Sequence, residues 1–274
     1  MSRLVLVATP LGHLGDLAPR AIEELRAAGL VCCEDTRRTG LLLNNLGLDA
    51  TLMRLDDHTE AAAIQRVIDA LDEGRDVALV SDAGTPAISD PGERLVAAVA
   101  ETGHVVTAVP GPSAVVMAVT LSGLPTSRFV FEGFLPRSGR ERETRLAEIA
   151  REPRTSVLYE APHRIERTLA DLVSACGSER RGAICRELTK VHEEVRRGTL
   201  AELHASLGEP RGEYVIVVGG ANESRVWTPD DVDGMLRDEI SRGASTRDAA
   251  AIVADLTGQS KKDLYDRALI LRRD

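Results

Sequence analysis

Ser81-Asp82-Ala83-Gly84-Thr85-Pro86-Ala87-Ile88-Ser89-Asp90-Pro91-Gly92 is the stretch of the chain richest in chemistry-bearing residues. It follows the apolar run Val77-Ala78-Leu79-Val80, which reads as a buried strand. Gly84 and Gly92 permit backbone conformations and close approaches that a Cβ would block. Pro86 and Pro91 fix φ and remove donors, so the stretch is the interior of neither helix nor strand. A stiff polar loop at the end of a buried strand is where open α/β sheets bind ligands. The bland alternative is an elaborate turn. Asp82 and Asp90 read as caps that lock the loop rather than as acid–base groups. The other candidate carboxylates sit beside cations: Glu34 and Asp35 before Arg37, Glu160 before Arg164. Six scattered histidines (His13, His58, His104, His163, His192, His204) form no ligand pattern. Cys32, Cys33, Cys176 and Cys185 show no metal or C-x-x-C spacing and read as reduced thiols in a cytosolic protein.

Several common chemistries are disfavoured or excluded. No G-x-G-x-x-G follows the first strand and no G-x-x-x-x-G-K-[ST] occurs; Gly12-His13-Leu14-Gly15 is only a fragment of either, which lowers the usual dinucleotide and P-loop readings. Neither H-E-x-x-H, an EF-hand nor a nucleophile elbow is present. With 3% aromatics the chain lacks the material for a base-stacking platform. The N-terminus has no signal-peptide pattern, and no apolar run is long enough to span a bilayer.

Positioning elements follow from punctuation and periodicity. Residues 3–8, 30–33, 51–55, 77–80 and 104–109 read as strands, alternating with helices over 16–28, 36–46, 59–73, 93–101 and 113–121. Asp16 is the expected N-cap of the first helix. Near-continuous apolar strands in this alternation predict a parallel sheet covered on both faces. The loops at 9–16, 81–92 and 110–114 then converge at one rim. Beyond residue 122 the units shorten: strands at 129–133, 155–160, 182–187 and 213–218, helices at 141–152, 161–176 and 199–207. They fit a mixed, partly antiparallel second sheet. The expected domains are 1–122, 123–222 and a helical, helix-turn-helix-like tail at 228–274, with 220–228 as a linker. Ser245 and Ser260 are its expected helix caps.

At 274 residues the chain supports two domains and an appendage. Its net charge of −9 hides an asymmetry. Residues 1–127 carry 9 basic and 17 acidic side chains, whereas 128–198 carry 15 and 12. The asymmetry places any anionic partner near the middle third, the alternative being that a basic stretch so interleaved with acids is a solvated surface.

Further motifs complete a pattern: Thr9-Pro10-Leu11-Gly12-x-Leu14-Gly15-Asp16, Cys33-Glu34-Asp35-Thr36-Arg37, Pro110-Gly111-Pro112-Ser113-Ala114 and Phe131-Glu132-Gly133-Phe134-Leu135-Pro136. Tyr159-Glu160-Ala161-Pro162-His163-Arg164 and Arg186-Glu187-Leu188-Thr189-Lys190 with His192-Glu193-Glu194 follow. In this order and spacing, with Ser81–Gly92, they resemble the ribosomal RNA small subunit methyltransferase I family of the tetrapyrrole methylase superfamily. The match spans residues 3–220, and the tail resembles the small helical extension of many members. His13 stands where the family usually has Asn and Ala161 where Ser is usual, departures that bear on side-chain contacts.

The resemblance implies a homodimer of two α/β domains with an interdomain cleft for S-adenosylmethionine. It also implies 2′-O-methylation of a cytidine ribose in the decoding region of 16S rRNA, free or in the 30S subunit, in the cytoplasm, with no metal and no membrane. Pro10, Gly84, Thr85, Ile88, Ser113, Ala114 and Tyr159 match the family's cofactor-contacting positions. Glycines without a phosphate nest suit a donor that carries no phosphate. A ribose hydroxyl is a poor nucleophile, so a base or a charge that stabilises the alkoxide helps. Glu34, Asp35, Glu132, Glu160 and Lys190 are the candidates. Asp35 or Glu160 is expected to orient the hydroxyl, with Arg37, Arg164 and Lys190 on RNA phosphates. The structural alternative is that these carboxylates only pair with neighbouring arginines. A precorrin-type or modified-protein methyltransferase and a non-catalytic nucleic-acid-binding regulator are the competing functions. The tail's near balance of charge argues against tight independent DNA binding.

Overall fold

The computed structural model describes residues 2–56, 60–221, 228–257 and 259–272. His58, the first residue of the helix expected at 59, and most of the linker lie outside them. The first sheet contains β1 (Arg3–Val7), β2 (Leu30–Cys33), β3 (Leu52–Arg54), β4 (Val77–Val80) and β5 (Val105–Val109). Their order is β3-β2-β4-β1-β5, and every pairing is parallel. All strand C-termini therefore face one rim.

Side-chain alternation along a strand explains the covering layers. Leu4, Val77 and Leu79 point to one face, where Val67 and Leu71 of α3 (Glu60–Asp72) and Leu95 and Val99 of α4 (Glu93–Glu101) meet them. Val5, Val7, Ala78 and Val80 point to the other, against Ala21 and Leu25 of α1 (Pro19–Ala27) and Leu43 of α2 (Thr36–Asn45). β5 departs from the doubly covered expectation. It is an edge strand, and its Val105 is 44% exposed. Asp16 departs as well: it ends a 3₁₀ turn (Leu14–Asp16) capped by His13, while α1 opens at Ala18-Pro19 with no side-chain cap bond.

The second sheet contains β6 (Phe129–Phe134), β7 (Thr155–Glu160), β8 (Arg181–Arg186), β9 (Glu194–Thr199) and β10 (Tyr214–Val218), ordered β6-β7-β10-β8-β9. β6 and β7 are parallel and the other neighbours antiparallel, the expected mixture. β9 is absent from the sequence reading. α6 (Gly139–Arg151), α7 (Ile165–Cys176) and α8 (Leu200–Ala205) cover one face, burying Ile149, Leu169 and Leu203 on Leu158, Ile184 and Ile216. The other face receives α5 (Ala114–Ser122), whose Val115, Ala118 and Val119 pack on Val157, Ala183, Val215 and Val217. α5 leaves the rim of the first sheet and buries itself on the second. That one apolar helix sets the two sheets across a cleft.

The tail forms α9 (Pro229–Ser241), α10 (Thr246–Thr257) and α11 (Lys261–Leu271) around Val232, Leu236, Val253 and Leu264. Ser245 and Ser260 accept from the amides of Asp248 and Asp263 as expected of N-caps.

Candidate active site

The loops after β1, β4 and β5 are stitched together at the rim. Thr9 and Gly84 exchange backbone hydrogen bonds of 2.9 and 3.0 Å. The Thr9 hydroxyl donates to the Ser81 carbonyl at 3.0 Å, and the Thr85 hydroxyl to the Pro112 carbonyl at 3.1 Å. Gly84 has φ +82°, and a Cβ there would lie 3.1 Å from Leu11. Ala87 and Ser89 also hold left-handed backbone, at φ 64° and 59°. Such positions cost of order 1–3 kcal/mol each and persist where surrounding structure fixes them. Ser89 reaches across to the bulge of β6, where Gly133 (φ +64°) leaves room for it.

Between these loops and the second sheet lies a cleft of about 870 Å³. Its first wall carries Gly84, Thr85, Ile88, Ser113 and Ala114, all expected from the sequence, together with Asp35 and Arg37 from the turn after β2. Its second wall carries Tyr159, Glu160, Ala161 and Pro162 from the end of β7, with Phe134 and the start of β10. Tyr159 is held edge-on by Phe131 and Phe134, with ring centres 4.9 and 5.6 Å away. Pro10 lines a neighbouring hollow of about 210 Å³ instead, with Leu14 and Leu41. Arg38 and Asp82, paired at 3.3 Å, contribute to the walls of both.

The charged candidates divide by what already holds them. Asp35 is the N-cap of α2, accepting from the Arg37 amide at 2.9 Å. The Arg37 guanidinium also forks onto it at 3.0 and 2.7 Å, which holds the carboxyl well below the usual range. Arg37 itself stays 89% exposed. The Glu160 carboxylate is enclosed. It accepts from the Ala161 amide at 2.9 Å and the Thr168 hydroxyl at 2.6 Å, and it pairs with Arg164 at 3.1 Å. Arg142, itself buried, donates to Thr168, Asp171 and the Pro136 carbonyl, so Glu160 anchors a network that ties β7 to the loop after β6. Glu160, one of the two carboxylates expected to orient the acceptor hydroxyl, also lines the cleft. Arg164 donates to the Leu135 carbonyl as well. Lys190 bridges Glu187 and Glu213 at 2.9 and 3.0 Å, and Glu132 pairs with Arg145 at 3.1 Å.

Asp90, expected to be a loop-locking cap, is a further carboxyl on the first wall. It lines the cleft, and burial, then the negative charges of Glu34 and Asp82, push its carboxyl up to about 6 against an opposing hydrogen bond from Ser81. Across the cleft, burial and then Asp90 push the Tyr159 hydroxyl up to about 12. Asp82 belongs to the same loop, but Glu34 arrives from another strand end, and the sequence carried no local signal for that approach. Among the described residues no group of three potential ligands could hold a metal, and no helix is long and apolar enough to cross a membrane.

Comparison with known proteins agrees with this architecture. The family model of tetrapyrrole (corrin/porphyrin) methylases matches residues 3–204, and that of the RsmI C-terminal HTH domain matches residues 228–272. A ribosomal RNA small subunit methyltransferase I of Xylella fastidiosa is 44% identical over 269 residues, covering 96% of this chain and 97% of the relative. One of the same name from Synechocystis sp. is 43% identical over 278 residues, covering all of both chains. Among solved structures, the uroporphyrin-III C-methyltransferase of Thermus thermophilus complexed with S-adenosylhomocysteine superposes with a TM-score of 0.57 at 19% identity, over 80% of this chain and 97% of that one. The two stitched loop walls therefore sit in a tetrapyrrole methylase fold, and the chain belongs to the ribosomal RNA small subunit methyltransferase I family within the tetrapyrrole methylases.

Proposed function

We propose that the protein transfers a methyl group from S-adenosylmethionine to the ribose 2′-hydroxyl of a cytidine in the decoding region of 16S rRNA. In this reading the substrate is the rRNA or the 30S subunit, and the enzyme is a cytoplasmic homodimer. We further propose domains at 1–122 and 123–222 with 228–274 as an appended helical unit.

The observation that carries the proposal is the cleft itself. Its volume of about 870 Å³ lies within the range of small-molecule sites. Gly84 leaves open the space beside Leu11 that a side chain would fill, and the Glu34, Asp82 and Asp90 carboxylates suit a cationic sulfonium better than a phosphate. Gly84, Thr85, Ile88, Ser113 and Ala114 would hold the donor from the first wall and Tyr159 from the second, with Pro10 shaping the loop behind them. When bound, the donor supplies an electrophilic methyl carbon.

The residues of the chain then position and protect. Asp35, on the cleft and held by Arg37, orients the acceptor hydroxyl, and the exposed Arg37 meets an RNA phosphate. Arg164 and Lys190 are committed to carboxylates, so they brace the loops after β7 and β8. Glu160 positions the Tyr159 wall through Thr168 and Arg142. Enclosure of the two reactants in one orientation supplies much of the acceleration. The testing experiment incubates the protein and labelled S-adenosylmethionine with 30S subunits, free 16S rRNA and a tetrapyrrole precursor. Label on the ribose of one cytidine supports the proposal, and label in the precursor alone overturns it.

A further inference from the structure

We propose that the end of β6 and the approach to α6, residues 134–140, bind the acceptor strand: Phe134 stacks on an unpaired pyrimidine base of the RNA, and Arg137 and Arg140 hold neighbouring phosphates. This inference rests on the function proposed above and names the surface that receives its substrate. Phe131 and Phe134 stand three residues apart, so a regular strand would send them to opposite faces. The bulge between Phe131 and Gly133 adds a residue to β6, with Gly133 at φ +64°. Both rings therefore meet Tyr159, and Phe134 lines the cleft. Bulges beside sites re-aim side chains in this way. Among the described residues, Ile88 and Phe134 are the large apolar side chains that line the cleft and stay exposed, at 44% and 51%. A fold gains by covering such a ring, yet this one is left as an open aromatic surface held by Tyr159. The chain has too few aromatics to track several bases, but one base needs one ring.

The cations that follow the ring decide which base it takes. Arg142 is buried on Asp171 and Thr168, and Arg145 pairs with Glu132. Arg137 and Arg140 are exposed, and among the described residues neither guanidinium enters an ion pair or a hydrogen bond. Arg37, Arg164 and Lys190, by contrast, are each paired with a carboxylate. S-adenosylmethionine carries an adenine but no phosphate, so two open cations beyond the ring serve nothing in the donor. An RNA strand offers a base to the ring and phosphates to the arginines. The basic excess of residues 128–198, with 15 basic and 12 acidic side chains, points the same way.

The test measures steady-state methyl transfer to 30S subunits at saturating donor, 30S binding across a salt series, and S-adenosylhomocysteine binding by calorimetry. The proteins are wild type, Phe134→Ala, Phe134→Leu, Phe134→Tyr and the double variant Arg137→Ala with Arg140→Ala. The expected loss in kcat/KM is about 5- to 150-fold in the Ala and Leu variants, with S-adenosylhomocysteine affinity unchanged and the Tyr variant near wild type. The double variant is expected to flatten the slope of log affinity against log salt by about 1.4–1.8, two phosphate contacts. A wild-type kcat/KM in the Ala variant overturns the inference. So does a Leu variant as active as the Tyr variant, which reduces the ring to apolar packing. Joint loss of rate and S-adenosylhomocysteine affinity overturns it by moving Phe134 to the donor, and an unchanged salt slope overturns it by taking the arginines off the phosphates. Each of these leaves rRNA methylation by the wild type standing. A wild type that labels only a tetrapyrrole precursor overturns the parent reading, and this site with it, before any variant is measured.

Discussion

Two loops hold all four left-handed non-glycine residues among the described part of the chain: Ala87 and Ser89 in one, Glu187 and Thr189 in the other. Both follow strands and both border the space between the sheets, yet their side chains do opposite things. In the first loop Asp82 and Asp90 line the cleft, and Asp90 is destabilised as an anion by burial and then by its neighbours. The second loop closes on itself. Lys190 joins Glu187 to Glu213, the Thr189 amide donates to Glu193 at 2.6 Å, and the aliphatic stem of Lys190 packs so closely over Gly12 that a Cβ there would sit 2.2 Å from it. Backbone strain therefore does not by itself mark chemistry. It marks a conformation that the rest of the fold imposes, and the charges that the conformation presents decide what it is for.

The largest expected effect strikes the first loop. Gly84→Val places a β-branched residue at φ +82° with its Cβ 3.1 Å from Leu11. Calorimetry is expected to show a loss of about 100-fold in S-adenosylhomocysteine affinity, or ~2.7 kcal/mol. Retained affinity would separate the stitched loops from donor binding and break the comparison.

The second loop responds in stability. Lys190→Met leaves Glu187 and Glu213 facing one another, and urea unfolding is expected to show a loss of ~1–2 kcal/mol with donor affinity intact. That is less than a buried pair would lose, because the Lys190 side chain is 28% exposed. The slope of RNA affinity against salt separates the cations: Arg37→Ala is expected to flatten it by about 0.7–0.9, one phosphate contact, whereas Lys190→Met leaves it unchanged. A flatter slope for the Lys190 variant would put that residue on a phosphate. Thr189→Val replaces a buried hydroxyl that has no hydrogen-bond partner with a methyl of the same shape, so it is expected to stabilise by ~1 kcal/mol without touching methyl transfer.

Legibility followed the range of the forces involved. Buried strands such as Val77–Val80 and amphipathic helices such as α4 announce themselves through local periodicity, and the convergence of loops 9–16, 81–92 and 110–114 follows once those strands are parallel. β9 escaped because Glu194-Val195-Arg196-Arg197-Gly198-Thr199 is a polar edge strand that pairs only with β8. Its sign is the register with β8, not its own composition. Asp16 misled because a capping residue type is common to every tight turn, and here His13 caps the turn. Glu160 and Asp90 looked alike as isolated carboxylates. One is enclosed by donors from its own motif, Ala161 and Arg164, and by Thr168 of α7; the other sits near the anions Glu34 and Asp82, of which Glu34 comes from a separate loop beyond the reach of a local motif.

The smallest effect is the most discriminating, because it separates Asp90 from a loop-locking cap. A carboxyl raised from 3.8 to about 6 binds its proton more tightly in the folded than in the unfolded chain. Between those values the native state holds more protons, so wild-type stability falls as pH climbs through the window and stays lower above it. Asp90→Asn removes that penalty. It is expected to melt higher than wild type at pH 8, by the equivalent of ~1 kcal/mol once the full linkage is discounted for the partial exposure of the site, and the gap is expected to close toward pH 4. A cap would behave in the opposite way. An aspartate that locked the loop through hydrogen bonds to its charged form would lose stability on substitution, most of all at high pH. A thermal melt series of the two proteins from pH 4 to 8 therefore reads the sign directly, and a wild type more stable than the variant at pH 8 would return Asp90 to a purely structural role.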